Sequence, residues 1–151
     1  MSKPSVLPTL TLLERAAVTG DRCAVRAAES DYEGSFPSVE FGWIAEADLL
    51  TVPLADPTLP ARELLEVLLH IGRGNLAVGR LYEGHVNALQ LITRYGTPTQ
   101  RKRWAADVSA AHHLFGVWNT EAGDGVRIER QGDGRLVLRG SKTFCSGGTH
   151  V

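Results

Sequence analysis

The sequence has few cysteines and almost no excess charge, and each shortage excludes a class of protein. Its two cysteines, Cys23 and Cys145, form neither a CxxC pair nor a zinc-ligand spacing, so we expect no disulfide framework, no metal site and a reduced, cytoplasmic setting. Lys and Arg number 16 against 17 Asp and Glu, which gives a net charge of −1. This balance argues against a nucleic-acid partner, because nucleic-acid binding surfaces carry excess positive charge.

Long apolar runs and targeting signals are also missing. The most apolar run, residues 64–71, is interrupted by Glu66 and His70, whereas a membrane span needs about 20 mostly apolar residues. The first residues include Lys3 but are not followed by the apolar core of a signal peptide. With 151 residues, 43% of them hydrophobic, the chain has room for one domain, or for one domain and a piece of another.

Glycine is unevenly distributed. Eight of the 16 glycines lie from Gly116 onward, which indicates a change from helices to turn-punctuated strands. The sequence therefore predicts an α+β fold, with an all-α helical bundle over residues 1–111 and the first strands of an antiparallel sheet over residues 112–151.

Local signals place the helices within the first part. We predict helices at residues 21–29, from Pro37 through Ile44, at residues 61–73, at residues 76–95 and from Pro98 to about Ala111. Asn75 is expected to cap the fourth of these, and Gly96 to end it in the left-handed conformation. Thr97 and Gln100 form a capping box, and Trp104 and Val108 should face inward.

The second part predicts three or four strands. Residues 113–118 have the pattern of a buried strand, and residues 126–130 and 135–139 alternate as a hairpin joined by residues 131–134. A further strand is expected over residues 142–146.

Most individual features have an ordinary structural interpretation. The Arg101-Lys102-Arg103 run is typical of a solvated helix face. Adjacent His112 and His113 would point to opposite sides of a strand and could not chelate one metal. The two histidines in predicted helices, His70 and His85, are expected to be interior or boundary residues with satisfied hydrogen bonds.

Two strand-end segments, residues 117–123 and 142–148, combine an aromatic side chain with hydroxyls, amides and glycines. Such a set suits a flat heteroaromatic ligand, which an aromatic ring can stack on and hydroxyls can hydrogen-bond. On the pattern alone, two ordinary strand ends with turn residues are the favoured interpretation, because strand ends commonly have this composition.

Several short motifs occur in the order found in one family of flavoproteins. They are Phe41-Gly42-Trp43-Ile44-Ala45-Glu46-Ala47-Asp48-Leu49-Leu50, Ile71-Gly72-Arg73-Gly74-Asn75-Leu76-Ala77, Tyr95-Gly96-Thr97-Pro98-Thr99-Gln100-Arg101, Thr120-Glu121 and Leu138-Arg139-Gly140-Ser141-Lys142-Thr143-Phe144. On these motifs the chain resembles the N-terminal part of the acyl-CoA dehydrogenases.

The resemblance implies a helical N-terminal domain followed by the start of a middle β-barrel, with FAD as cofactor and an acyl-CoA or related small molecule as substrate. Carried over by position, the flavin-binding residues would be Val117, Asn119, Thr120, Phe144 and Ser146. Thr120 would contact the pyrimidine edge, Phe144 the ring and Ser146 the N5 atom. Val117 and Asn119 would contact the flavin through backbone atoms.

The sequence also departs from the family. Ala122 replaces a proline, Asp124-Gly125 stand in place of Gly-Ser-Asp, and Phe144-Cys145-Ser146-Gly147 replace Trp-Ile-Thr-Asn. The family's general base lies in its C-terminal half, so no catalytic residue is assigned here. A C-terminal half or partner subunit is expected to complete the enzyme as a homo-oligomer. A flavin monooxygenase of the same fold and a non-catalytic helical interaction module are the alternatives.

Overall fold

The computed structural model describes residues 10–30, 32 and 34–151. Its elements are α1 (Leu12–Ser30), α2 (Ser38–Glu46), α3 (Val52–Ala55), α4 (Ala61–Gly74), α5 (Leu76–Tyr95), α6 (Pro98–Ala111), β1 (Glu121–Arg130), β2 (Leu136–Lys142) and a 3₁₀ turn at Gly148–His150. The predicted order of helices followed by antiparallel strands is confirmed. The chain start, where no signal peptide was predicted, lies outside the described residues.

The core lies among the helices. Helix α4 packs against both α1 and α5, and the buried apolar side chains come from all six helices and from the α2–α3 connection. Helix α1 crosses α4 very closely at Gly20, where a Cβ atom would lie 2.2 Å from the carbonyl oxygen of His70. Gly20 therefore permits a contact that any side chain would prevent.

The predicted caps of α5 and α6 are confirmed. The Asn75 side-chain oxygen accepts hydrogen bonds from the backbone N–H groups of Ala77 and Val78 at 3.0 and 3.2 Å. At α6, the Thr97 N–H donates to Gln100 Oε1 at 2.9 Å, and the Gln100 N–H donates to Thr97 Oγ1 at 3.2 Å. These bonds satisfy helix N-terminal donors that have no partner within the helix.

Two helix predictions were wrong in detail. Helix α1 begins at Leu12 rather than residue 21, because Thr11 and Glu14 form a capping box that the sequence analysis overlooked. Gly96 is extended, with φ −69° and ψ 146°, and not left-handed. A Cβ atom there would lie 2.5 Å from the Ile92 carbonyl oxygen, so glycine is needed for close approach to α5 rather than for a positive φ.

Trp104 is only partly buried, whereas Val108 is fully buried. The Trp104 ring meets the Phe115 ring edge to face, with centroids 6.3 Å apart. The prediction that these two side chains of α6 face inward is thus confirmed for Val108 and only partly for Trp104.

Within the described residues the sheet has two strands, β1 and β2, in place of the three or four predicted. Residues 113–118 are not a strand, because the Phe115 N–H donates to the His85 ring and not to a neighbouring strand. Beyond Lys142 the chain turns, with Phe144 at φ 53° and Gly147 at φ 90°, so the predicted strand over residues 142–146 is also wrong. None of the described helices is both long and apolar enough to cross a membrane.

Candidate functional site

The structure brings the two candidate segments side by side at the base of the hairpin. The Thr143 N–H donates to the Thr120 carbonyl oxygen at 3.1 Å. The Trp118 indole N–H donates to the Ser146 carbonyl oxygen at 3.0 Å. An ion pair between Glu121 and Lys142 joins the first residue of β1 to the last residue of β2. Residues 117–120 and 143–146 thus form one continuous surface.

Polar groups on this surface are available to a ligand. Asn119 and Thr120 are exposed, and Val117 and Ser146 are partly buried. Within the described part of the chain, the hydroxyls of Thr120 and Ser146 have no protein hydrogen-bond partner, and neither do the backbone N–H groups of Val117 and Asn119. Groups suited to hydrogen bonding therefore lie along both segments.

Phe144 projects from the turn that follows β2, within the second segment. Its side chain is 83% exposed, and its backbone is in the left-handed region, which bulky residues rarely occupy. Strained backbone of this kind is often found at ligand-binding sites. An exposed aromatic ring in a strained turn fits a stacking role better than a packing role.

Val117 and Asn119 also form one end of an open cleft of about 730 Å³. The other walls come from the second half of α5, including Asn87, Gln90 and Arg94, and from the connection between α3 and α4. This volume falls within the usual range for small-molecule sites, about 300–1,000 Å³. The cleft residues of α5 were missed in the sequence, although their spacing places them on one polar face of the helix.

His85 lies behind the same surface and is fully buried. Its Nε2 lies 2.9 Å from the Leu50 carbonyl oxygen, and the Phe115 backbone N–H donates to its Nδ1 at 3.0 Å. Nδ1 must be unprotonated to accept this bond, so Nε2 carries the proton. Burial lowers the pKa of His85, and the hydrogen bond to Leu50 partly opposes that effect. The expectation of a satisfied interior histidine is confirmed, but its link to residues 112–120 was missed.

Two carboxylates near the surface are held in the ionised form. Hydrogen bonds from the side chain and backbone of Thr58 lower the pKa of Asp56, which lines the cleft. Hydrogen bonds from Lys142 and from the Val126 N–H lower the pKa of Glu121. A general base works best with a pKa near the working pH, so both are poorly matched to proton abstraction.

Of the two free cysteines, Cys145 lies within residues 143–146 of this surface, whereas Cys23 lies in the helical core. Burial raises the pKa of the Cys23 thiol to about 11, which leaves it a poor nucleophile. Among the described residues, no group of three His, Cys, Asp or Glu side chains is arranged to hold a metal ion.

No protein-family model matches this sequence, and no curated protein is significantly similar to it. The resemblance to the acyl-CoA dehydrogenases therefore depends on the sequence motifs alone.

Proposed function

We propose that this chain is the N-terminal portion of a FAD-dependent oxidoreductase that acts on CH–CH bonds, similar to the acyl-CoA dehydrogenases. The observation that carries the proposal is the meeting of residues 117–120 with residues 143–146 beside an open cleft. The motifs behind the resemblance assign the flavin-contacting residues to these two segments. In the sequence, 22 residues (121–142) separate the segments.

The side chains and backbone groups of this surface fit one edge of a flavin. Thr120, with the backbone N–H groups of Val117 and Asn119, would hydrogen-bond the pyrimidine edge. Ser146 would donate its hydroxyl proton near N5, and the Phe144 ring would lie against the ring system. A bound flavin supplies a hydride acceptor, while the protein binds and orients it. A donor near N5 stabilises the electron density that gathers there during reduction.

The cleft beside Asn119 is the proposed position of the substrate, an acyl-CoA or a related small molecule. Its walls combine apolar side chains with the amides of Asn87 and Gln90 and the guanidinium of Arg94, a composition that suits a ligand with both an acyl and a polar part. The catalytic base, the rest of the β-barrel and the remaining FAD contacts are proposed to come from a C-terminal half or a partner subunit. The complete enzyme is proposed to be a homo-oligomer.

Flavin binding by the protein, completed with its C-terminal half, tests the proposal. Thr120→Ala and Ser146→Ala each remove one hydroxyl, and losing a hydrogen bond to a buried ligand atom should weaken flavin binding by about five- to 150-fold. Ser146→Ala should also slow flavin reduction and shift the flavin absorption band, because its partner is N5.

Thr143→Ala is the matched control. Thr143 bonds Thr120 through its backbone N–H, which alanine keeps, and its exposed hydroxyl has no protein partner in the described chain. The motifs assign Thr143 no flavin contact, so Thr143→Ala should leave flavin binding unchanged. Absence of bound flavin in the completed protein, or equal losses in Thr143→Ala and Ser146→Ala, would contradict the proposal. Turnover of acyl-CoA with an artificial electron acceptor supports a dehydrogenase, whereas oxygen consumption without such turnover indicates a monooxygenase.

A further inference from the structure

His85 connects the rigid interior of the helical bundle to the segment that leads into the candidate surface. We propose that His85 is a positioning residue, which fixes residues 115–120 through one hydrogen bond to the Phe115 N–H and requires the Nε2–H form of its ring. The consequence for flavin binding rests on the proposed function, whereas the positioning of the segment does not.

The first support is that His85 is itself held firmly. Tyr82, one turn earlier on α5, donates its hydroxyl proton to the Leu49 carbonyl oxygen at 2.7 Å. His85 bonds the next carbonyl oxygen, that of Leu50, at 2.9 Å. Both side chains are fully buried. Two successive carbonyls of the α2–α3 connection are thus bound by α5, and the His85 ring has little freedom to rotate.

The second support is that the segment has few other restraints. Among backbone N–H groups of residues 114–119, that of Phe115 alone has a hydrogen-bond partner in the described protein, and the partner is His85 Nδ1. The Phe115 ring lies between the rings of His85 and Trp104, with centroid distances of 6.2 and 6.3 Å. Phe115 therefore supplies the hydrogen bond that holds residues 114–119 to the bundle, and Leu114 beside it also packs against the core.

The third support is the short distance along the chain from this point to the candidate surface. Val117 and Asn119 lie two and four residues beyond Phe115. Trp118, between them, donates its indole N–H to the Ser146 carbonyl oxygen and so links the second segment, residues 143–146, to the first. Release of the Phe115 N–H should loosen both segments, while leaving the core residues of α4 and α5 in place.

Two substitutions separate this role from ordinary packing. His85→Gln places an amide N–H near the position of Nε2 and keeps a donor for Leu50, but it offers Phe115 no acceptor. His85→Asn places its side-chain oxygen near the position of Nδ1 and keeps that acceptor, but it loses the bond to Leu50 and leaves a larger cavity. Hydrogen exchange of the Phe115 amide, resolved from that of its neighbours, and the free energy of global unfolding are measured for both variants of the full chain.

We expect the two variants to rank differently in the two measurements, so that the variant with the lower global stability is not the one with the faster local exchange. His85→Asn should be the less stable variant globally, because it removes more volume from the core. His85→Gln should show the faster exchange at the Phe115 amide, by about tenfold over wild type, because this amide loses its only acceptor in the described protein. If exchange of the Phe115 amide simply follows global stability in both variants, His85 has only a packing role and the proposal is wrong.

The ring of the wild-type protein gives a test that needs no variant. The ¹⁵N resonances of the His85 imidazole should show the neutral Nε2–H tautomer, with a coupling between Nδ1 and the Phe115 amide proton. An Nδ1–H tautomer would overturn the proposal. Flavin absorbance of the completed protein is recorded separately, so that a chain that binds no flavin but shows the expected tautomer and exchange refutes the proposed function and not the positioning role.

Discussion

The helical part of the molecule and the hairpin differ most in what covers their apolar side chains. Ile44, Val67 and Leu89 in the helices are 0% exposed, whereas Ile128 and Leu138, which face each other across the hairpin, are each 70% exposed. Since apolar burial is the main source of stability, the helices should form the stable unit of the described chain. The hairpin, whose strands mainly contact each other, should open at lower cost.

This difference bears on the candidate site, because the site lies where the two regions meet. One of its segments is held to the helices through Phe115, and the other is held to the first through Trp118 and Thr143. The surface and the adjoining cleft therefore combine a rigid wall, on α5, with a side that is held by a few hydrogen bonds and by the stacking of His150 on Phe36. A ligand bound across both would stabilise the hairpin in addition to being recognised by it.

The largest expected effect comes from truncating a core side chain. Leu89→Ala should lower the free energy of unfolding by about 2–5 kcal/mol, because a fully buried side chain is lost and a cavity remains. Leu138→Ala, the same change in the hairpin, should alter it by less than about 0.5 kcal/mol. Urea unfolding followed by circular dichroism measures both. Equal losses would show that the hairpin face is covered in solution.

The next largest effect concerns the close crossing of α1 and α4. Gly20→Ala should destabilise the protein by about 1–3 kcal/mol, since its Cβ would meet the backbone of His70, which cannot move as a side chain can. Gly72→Ala is the control within the same bundle, because a Cβ there meets no atom within 4 Å. It should be neutral or stabilise by up to about 1 kcal/mol, as alanine favours helix more than glycine does. A neutral Gly20→Ala would mean that α1 lies further from α4.

The sequence predicted the features that depend on near neighbours. The cap at Asn75 and the capping box at Thr97 each follow from residues within one turn of one another. The hairpin turn at residues 131–134 was found for the same reason. The capping box at Thr11 was equally visible in the sequence and was overlooked.

What was missed depends on distant contacts. Residues 113–118 resemble a strand in composition, but their conformation follows from the bond between Phe115 and His85, 30 residues away. The register at the base of the hairpin was also not predictable from its turn. Between the pairs Ala122–Ser141 and Arg127–Arg139, β1 advances by five residues while β2 advances by two. Because of this irregularity, Thr120 lies beside Thr143.

A smaller effect is expected from pH. The pKa of His85 is lowered below its ordinary value of 6.5, so between these two values the unfolded chain binds more protons than the folded one. The stability that the neutral ring contributes is fully present above pH 6.5 and is lost as pH falls toward the folded pKa. At pH 6 the loss should be below about 1 kcal/mol.

The pH effect is measured as the difference in unfolding free energy between wild type and His85→Gln across mildly acidic pH. This difference cancels the contributions of His70, His112, His113 and His150, which both proteins share. Within the bundle, Tyr82 is a titratable neighbour on the same helix, and burial raises its pKa, so it stays neutral throughout. Parallel curves for the two proteins would show that His85 does not titrate in this range.

The smallest effect on the helices, and the sharpest separation of the two regions, is expected from Gly140→Ala. Gly140 has φ 121°, and a Cβ there would lie 1.9 Å from the Gly125 carbonyl oxygen, so alanine should open the irregular part of the ladder. Hydrogen exchange over residues 121–142 should accelerate, while the unfolding free energy of the helices changes by less than about 0.5 kcal/mol. Gly132→Ala, in the turn, meets no atom within 4 Å and should change neither. A loss of helix stability in Gly140→Ala would show instead that the hairpin and the helices unfold as one cooperative unit. The candidate site would then be as rigid on its hairpin side as it is on α5.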